Sequence, residues 1–151
     1  MISNFGKFIL DTLFPVTCLS CQKHGYWICE DCFSHIPLRI EHCCPLCEKK
    51  ITPSGRICFS CRKKSPLEGL LSAVLYKNEF IAHIIHNFKY RFITELSIPL
   101  GEILVKAFLS SEFPLPDLII PVPLHKRRLR YRGFNQAKLL ADHLSAHLTP
   151  G

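Results

Sequence analysis

Apolar residues recur at helical spacing in several stretches of the chain and cluster without a period in two short ones. Phe80, Ile81, Ile84, Ile85 and Phe88 fall on one face of an amphipathic helix over Glu79–Tyr90. A second helix is expected over 94–109, bent or delayed by Pro99, and a last one over 135–148, where Ala137, Leu140, Ala141, Leu144 and Leu148 line one side. At the N-terminus Phe5, Phe8, Ile9 and Leu13 mark a short amphipathic helix, ended by Pro15 and interrupted by Lys7 and Asp11. It lacks the small-residue cleavage site of a signal peptide, and packing on the following module is expected before a membrane-surface role. The runs 70–76 and 118–122 read as strands, the second short and apolar enough for a buried parallel one. Strands alternating with helices over 67–151 give an α+β or α/β expectation.

Between the first helix and this alternation, periodicity gives way to cysteine spacing. Cys18/Cys21, Cys29/Cys32, Cys44/Cys47 and Cys58/Cys61 form four Cys-x-x-Cys couples within 61 residues. Each couple lets two sulfurs point at one ion from a single tight turn, and two couples complete tetrahedral zinc. Four couples in series predict two structural four-cysteine zinc sites in a module over 16–66. Sequential pairing (first with second, third with fourth) gives tandem zinc ribbons; interleaved pairing is the alternative. Gly25, Pro53 and Gly55 supply turn chemistry between the couples. Cys43 is the odd ninth thiol: three residues on stands Leu46, so it reads as a spectator. A module of about fifty residues buries too little apolar surface to hold itself, and metal binding supplies the difference. His83 and His86, three apart on one helix, read as ordinary helix residues beside eight thiols.

Composition changes the picture in one place. The formal charge is +7, and two Zn(II) ions on eight thiolates reduce it to about +3. No acidic residue stands between Asp117 and Asp142, whereas Lys126, Arg127, Arg128, Arg130, Arg132 and Lys138 all do. Such a block indicates a phosphate-bearing partner. No run reaches the length of a membrane span, and the thiols fit a reducing, cytoplasmic setting. Phe88, Tyr90 and Phe92 could stack on bases beside Lys89 and Arg91, but core packing is the expected role. Trp27 is expected to pack on a ribbon.

The strand at 118–122 ends in Pro121 and Pro123, and an Arg-rich loop and Gly133 follow before the last helix. Guanidinium groups and helix N-terminal N–H groups thereby gather at the carboxyl end of a strand, a usual seat for anions in an open α/β sheet. The run Pro121-Val-Pro-Leu-His125, the arginines, and Arg132-Gly-Phe-Asn-Gln-Ala137 resemble the signature of the ComF family of competence-associated, phosphoribosyltransferase-like proteins. The cysteine couples look like that family's double zinc ribbon, and Asn87-Phe-Lys-Tyr90 is similar to the segment near the start of its second domain.

This resemblance implies a type I phosphoribosyltransferase-like domain binding phosphoribosyl pyrophosphate (PRPP) with Mg²⁺. It places pyrophosphate on His125, Lys126, Arg128, Arg130, Arg132 and Gly133, with Asn135 and Gln136 capping the helix or touching ligand oxygens. The family's main PRPP element, a later strand with paired acidic residues and a Thr-Thr-Gly loop, has no counterpart in these 151 residues. The expectation is therefore a C-terminally truncated, incomplete domain, catalytically inert alone and linked to DNA uptake. The alternatives are a zinc-ribbon accessory factor that binds single-stranded DNA without chemistry, and an adaptor docking other DNA-uptake proteins.

Overall fold

The computed structural model describes residues 15–148; the helix expected over 2–14 lies outside them. The described residues form five α-helices: α1 (Glu30–Ser34), α2 (Glu79–Tyr90), α3 (Ser97–Leu109), α4 (Lys126–Arg132) and α5 (Gln136–Leu148). Single 3₁₀ turns stand at Pro53–Gly55, Arg62–Lys64 and Thr94–Leu96.

Helix α2 starts where the Asn78 side chain accepts the Ile81 N–H at 3.1 Å, relieving one of the unpaired donors of the first turn. Its apolar stripe buries Ile81, Ile84 and Phe88. Pro99 delays α3 rather than bending it. It is the third helical residue, where an N–H would have no intrahelical acceptor, and the Thr94–Leu96 turn fills the gap before it. Helix α5 packs along α3. One core joins α2, α3 and the first cysteine module: Ile36, Ala73, Ile81, Ile84, Phe88, Leu96, Leu100 and Ile103 are buried, and Leu19, Trp27, Ile28 and Phe33 pack against them.

Neither expected strand forms. Among the described residues the only β pairing is three isolated bridges, Thr17 with His24, Cys43 with Ile51 and Arg56 with Gly69. The run 70–76 is pinned at single points, by the Arg39 N–H on the Ala73 carbonyl (2.8 Å) and by His42 Nε2 against the Ser72 carbonyl (3.0 Å). The run 118–122 is not buried: Leu118, Ile120 and Val122 are 73–75% exposed. A strand is defined by its neighbour, and neither run has one here. The architecture is thus mostly helical behind an N-terminal pair of cysteine modules. The expected Arg-rich loop is also corrected, since residues 126–132 form α4.

Candidate functional site

The backbone builds the first and third cysteine couples by the same device. In each, the residue after the second cysteine takes a left-handed φ (Gln22, 63°; Glu48, 53°) and donates its N–H to the carbonyl of the first cysteine, Cys18 or Cys44. The chain then returns, and the Cys18 and Cys44 N–H groups bond the Lys23 and Lys50 carbonyls at 2.9 and 2.8 Å. The partner couples differ. Cys29 is the N-cap of α1, which carries Cys32 within it, whereas Cys58 and Cys61 share a turn leading into Arg62–Lys64.

The structure brings the couples together sequentially. Cys18, Cys21, Cys29 and Cys32 form one group, Cys44, Cys47, Cys58 and Cys61 the other, and in each the sulfurs lie within 4.8 Å of one another. The Sγ atoms of Cys21 and Cys29 are 3.5 Å apart, and those of Cys47 and Cys58 are 3.9 Å apart. Four sulfurs about 2.3 Å from one zinc ion in a tetrahedron stand about 3.8 Å apart, so the donor set and its spacing both fit. Four thiolates would close each coordination sphere, the pattern of a structural ion. Cys43 belongs to neither group, and His83 and His86 to no cluster among the described residues.

The electrostatics of the sulfurs agree. Burial alone would raise the Cys18 thiol, but N–H donors from Cys29, Ser20 and Cys21 bring its pKa down to about 6. The Cys58 N–H leads the groups that bring Cys44 down to about 6. Sharing with Cys58 and burial push Cys61 up to about 12. Cys32 receives a favourable Ser20 contact first, yet crowding by Cys29 and the other sulfurs carries it up to about 12. Without a cation, sulfurs this close resist ionising together; a dication removes that conflict.

The basic segment is divided by the fold. His125 caps α4, its Nδ1 accepting the Arg127 N–H at 3.3 Å, and Gly133 ends the helix at φ 73° with its N–H on the Leu129 carbonyl. Lys126, Arg128 and Arg130 are exposed and have no acidic partner among the described residues. Arg132 is partly buried and has partners. Its guanidinium lies 5.0 Å over the Tyr90 ring, and its Nη1 donates to Gln136 Oε1 at 3.1 Å. Gln136 is buried and lines an apolar cavity of about 240 Å³ with Ile85, Phe88, Leu100 and Leu140. Asn135 caps α5 through the Ala137 N–H (3.0 Å) and holds the Val122 carbonyl through Nδ2 (3.1 Å).

Residues 9–62 match the double zinc ribbon domain family. The chain is 33% identical over 142 residues to the DNA utilization protein YhgH of Shigella flexneri, covering 89% of this chain and 62% of that protein. It is 28% identical over 137 residues to Competence protein F of Haemophilus influenzae, covering 87% and 53%. Identity to Competence protein ComFC of Bacillus subtilis is 30% over 129 residues, covering 76% and 50%. The chain thus spans 62% or less of the length of these relatives. No solved structure matches it. With two closed sulfur clusters on a matched segment, this is a double-zinc-ribbon protein. It belongs to the ComF family, whose relatives are named for competence and DNA utilization. No helix among the described residues is long and apolar enough to cross a membrane.

Proposed function

We propose that the chain is a ComF-type ligand-binding protein whose eight grouped cysteines hold two structural zinc ions and whose α4 receives the pyrophosphate of PRPP. In this reading residues 16–66 are the ribbon module and 67–151 belong to a phosphoribosyltransferase-like domain acting in the cytoplasm. The observation that carries it is the set Lys126, Arg128 and Arg130, all on one short helix, solvent-facing and without carboxylate partners among the described residues. Guanidinium groups left free in this way bind phosphate oxygens through charge-assisted, often bidentate hydrogen bonds. Gly133 sets where the helix stops, while Arg132, Asn135 and Gln136 hold α4 and α5 in register and leave the anion to the exposed cations. Mg²⁺ enters as the counter-ion of the phosphates. Among the described residues only the cysteine groups gather three or more His, Cys, Asp or Glu side chains near one another.

Titration calorimetry with PRPP and Mg²⁺, against ribose 5-phosphate and inorganic pyrophosphate, tests the reading. Heat with PRPP and pyrophosphate that disappears in an Arg128→Ala/Arg130→Ala variant supports it. The absence of heat with every phosphorylated ligand rejects it.

A second reading has its own support in the relatives' names, which speak of DNA utilization and competence. In it the protein handles single-stranded DNA and the exposed cations neutralise backbone phosphates. Filter binding of an oligonucleotide over a range of salt concentrations tests it, with a log–log slope of about −0.7 per phosphate contacted. A flat response counts against it.

A further inference from the structure

The apex of the second ribbon combines two features that the zinc site itself does not require. Phe59 stands between the ligand positions Cys58 and Cys61 and is 89% exposed, although a phenyl ring in a small ribbon would ordinarily be packed inward. Lys49 and Lys50 follow the third couple closely in the chain, and Arg62, Lys63 and Lys64 follow the fourth, all exposed. Lys50 Nζ donates to Ser60 Oγ at 3.4 Å, which brings the basic return of the third couple to the tip of the fourth. None of these five cations has an acidic partner among the described residues.

The ribbon also fixes the ring's setting. Phe59 has ligand positions on both sides, and the Cys61 and Arg62 N–H groups bond the Cys58 carbonyl at 2.9 and 3.1 Å. A closed metal site would hold this short turn with little freedom. Ordering of the ring on binding therefore costs little, which is how an exposed aromatic platform is useful.

We infer that the apex of the second ribbon is a seat for single-stranded nucleic acid, with one base stacked on Phe59 and the adjoining phosphates held by Lys49, Lys50, Arg62, Lys63 and Lys64. A flat ring on a cationic rim is the chemistry by which proteins hold unpaired bases without reading their sequence. A duplex, whose bases are already stacked, offers the ring nothing and gains only from the charges. The inference rests on the DNA-handling reading above and adds the place of contact, more than sixty residues before α4 in the chain.

Fluorescence anisotropy of a labelled oligothymidylate against zinc-loaded wild-type protein, Phe59→Ala, Phe59→Trp and Lys63→Glu/Lys64→Glu is the test. Zinc content measured on each variant confirms an intact ribbon. Phe59→Ala is expected to bind about tenfold more weakly, with an unchanged salt slope. Phe59→Trp is expected to restore affinity, and its indole fluorescence to be quenched by the oligonucleotide. Lys63→Glu/Lys64→Glu is expected to flatten the slope by about 1.4. If wild type binds while all three variants bind equally well, the strand sits elsewhere and only this inference fails. If wild type does not bind at all, the DNA-handling reading fails with it. Phe59-dependent binding to anionic vesicles, with none to the oligonucleotide, would make the apex a lipid contact and overturn the assignment.

Discussion

The imidazole of His143 on α5 occupies the place where a side chain on Gly101 of α3 would begin: a β-carbon at Gly101 would meet His143 Cγ and Cδ2 at 2.5 Å and Cβ at 2.9 Å. The ring has little room to retreat, since it stacks on His147 with centroids 4.4 Å apart. Gly101→Ala is therefore expected to push the helices apart and destabilise the protein by about 1–3 kcal/mol, despite alanine's better helix propensity. Thermal or urea denaturation checks this. A variant as stable as wild type would show that α5 slides freely along α3.

Arg132 and Arg130 should separate binding from stability. Removing the exposed Arg130 side chain is expected to weaken PRPP or pyrophosphate binding by about 1.5–3 kcal/mol, the usual loss for a charged hydrogen bond, and to leave stability unchanged. Arg132→Ala instead removes the contact with Tyr90 and the bond to Gln136, and is expected to cost about 1 kcal/mol of stability. Arg132→Lys does not restore it, because an ammonium cannot lie flat on a ring while donating along a fork. Equal effects of the two alanine variants on ligand affinity would return Arg132 to the anion site.

Metal content gives a direct count. Wild-type protein is expected to bind two zinc ions, and Cys44→Ser one, with unfolding confined to the second ribbon. The loss per site is a large part of the roughly 10–16 kcal/mol of a structural zinc ion. His83→Ala is expected to keep both ions. Elemental analysis after dialysis reads each number, and a Cys44→Ser protein with two ions would break the grouping.

Proton release on metal binding follows from the sulfur environments. Cys18 and Cys44 have pKa values lowered from 9.0 to about 6. In the metal-free protein the stabilisation from their N–H donors is fully present above about pH 9 and lost as pH falls through 6. Cys32 and Cys61, raised to about 12, act oppositely: they favour the folded state below about pH 9 and lose that contribution as pH rises through 12. Below pH 6 zinc must displace a proton from Cys18 or Cys44 that is already absent at neutral pH. Each ion is then expected to release more protons at pH 5 than at pH 7.5, and affinity to fall more steeply below pH 6. Calorimetry in buffers of different ionisation enthalpy counts those protons; equal counts at the two pH values would contradict the assignment.

The sequence carried α2 and the cysteine couples most clearly. The helix has an Asn cap at its start and five apolar residues at the right period, two local signals that agree. The couples are legible because tetrahedral sulfur ligation fixes spacing independently of burial. Their sequential grouping needed the structure, since two hairpin lengths permit either pairing. Helix α4 was hidden because it buries no residue and has no apolar stripe to reveal its period; it is defined at its ends, by His125 and Gly133. The runs 70–76 and 118–122 misled because a short apolar run cannot disclose whether a neighbour exists to pair with it. The bond between Arg132 and Gln136 and the seat of Arg132 on Tyr90 were not legible in the motif, because they depend on how α2, α4 and α5 pack. The exposure of Phe59 had no signature either, as a residue inside a couple can face in or out.

The two cysteine groups differ in what surrounds them. The first leans on Trp27, Phe33 and Ile36, which are shared with α2 and α3, whereas the hydrophobic cluster of the second is Ile57 and its own sulfurs. Chelation should therefore strip the protein in two stages, the second ribbon surrendering its ion first and collapsing on its own while the helices stand. In a cell short of zinc, the far ribbon would act as the fuse: whatever it contacts would be let go before the rest of the molecule registers the shortage.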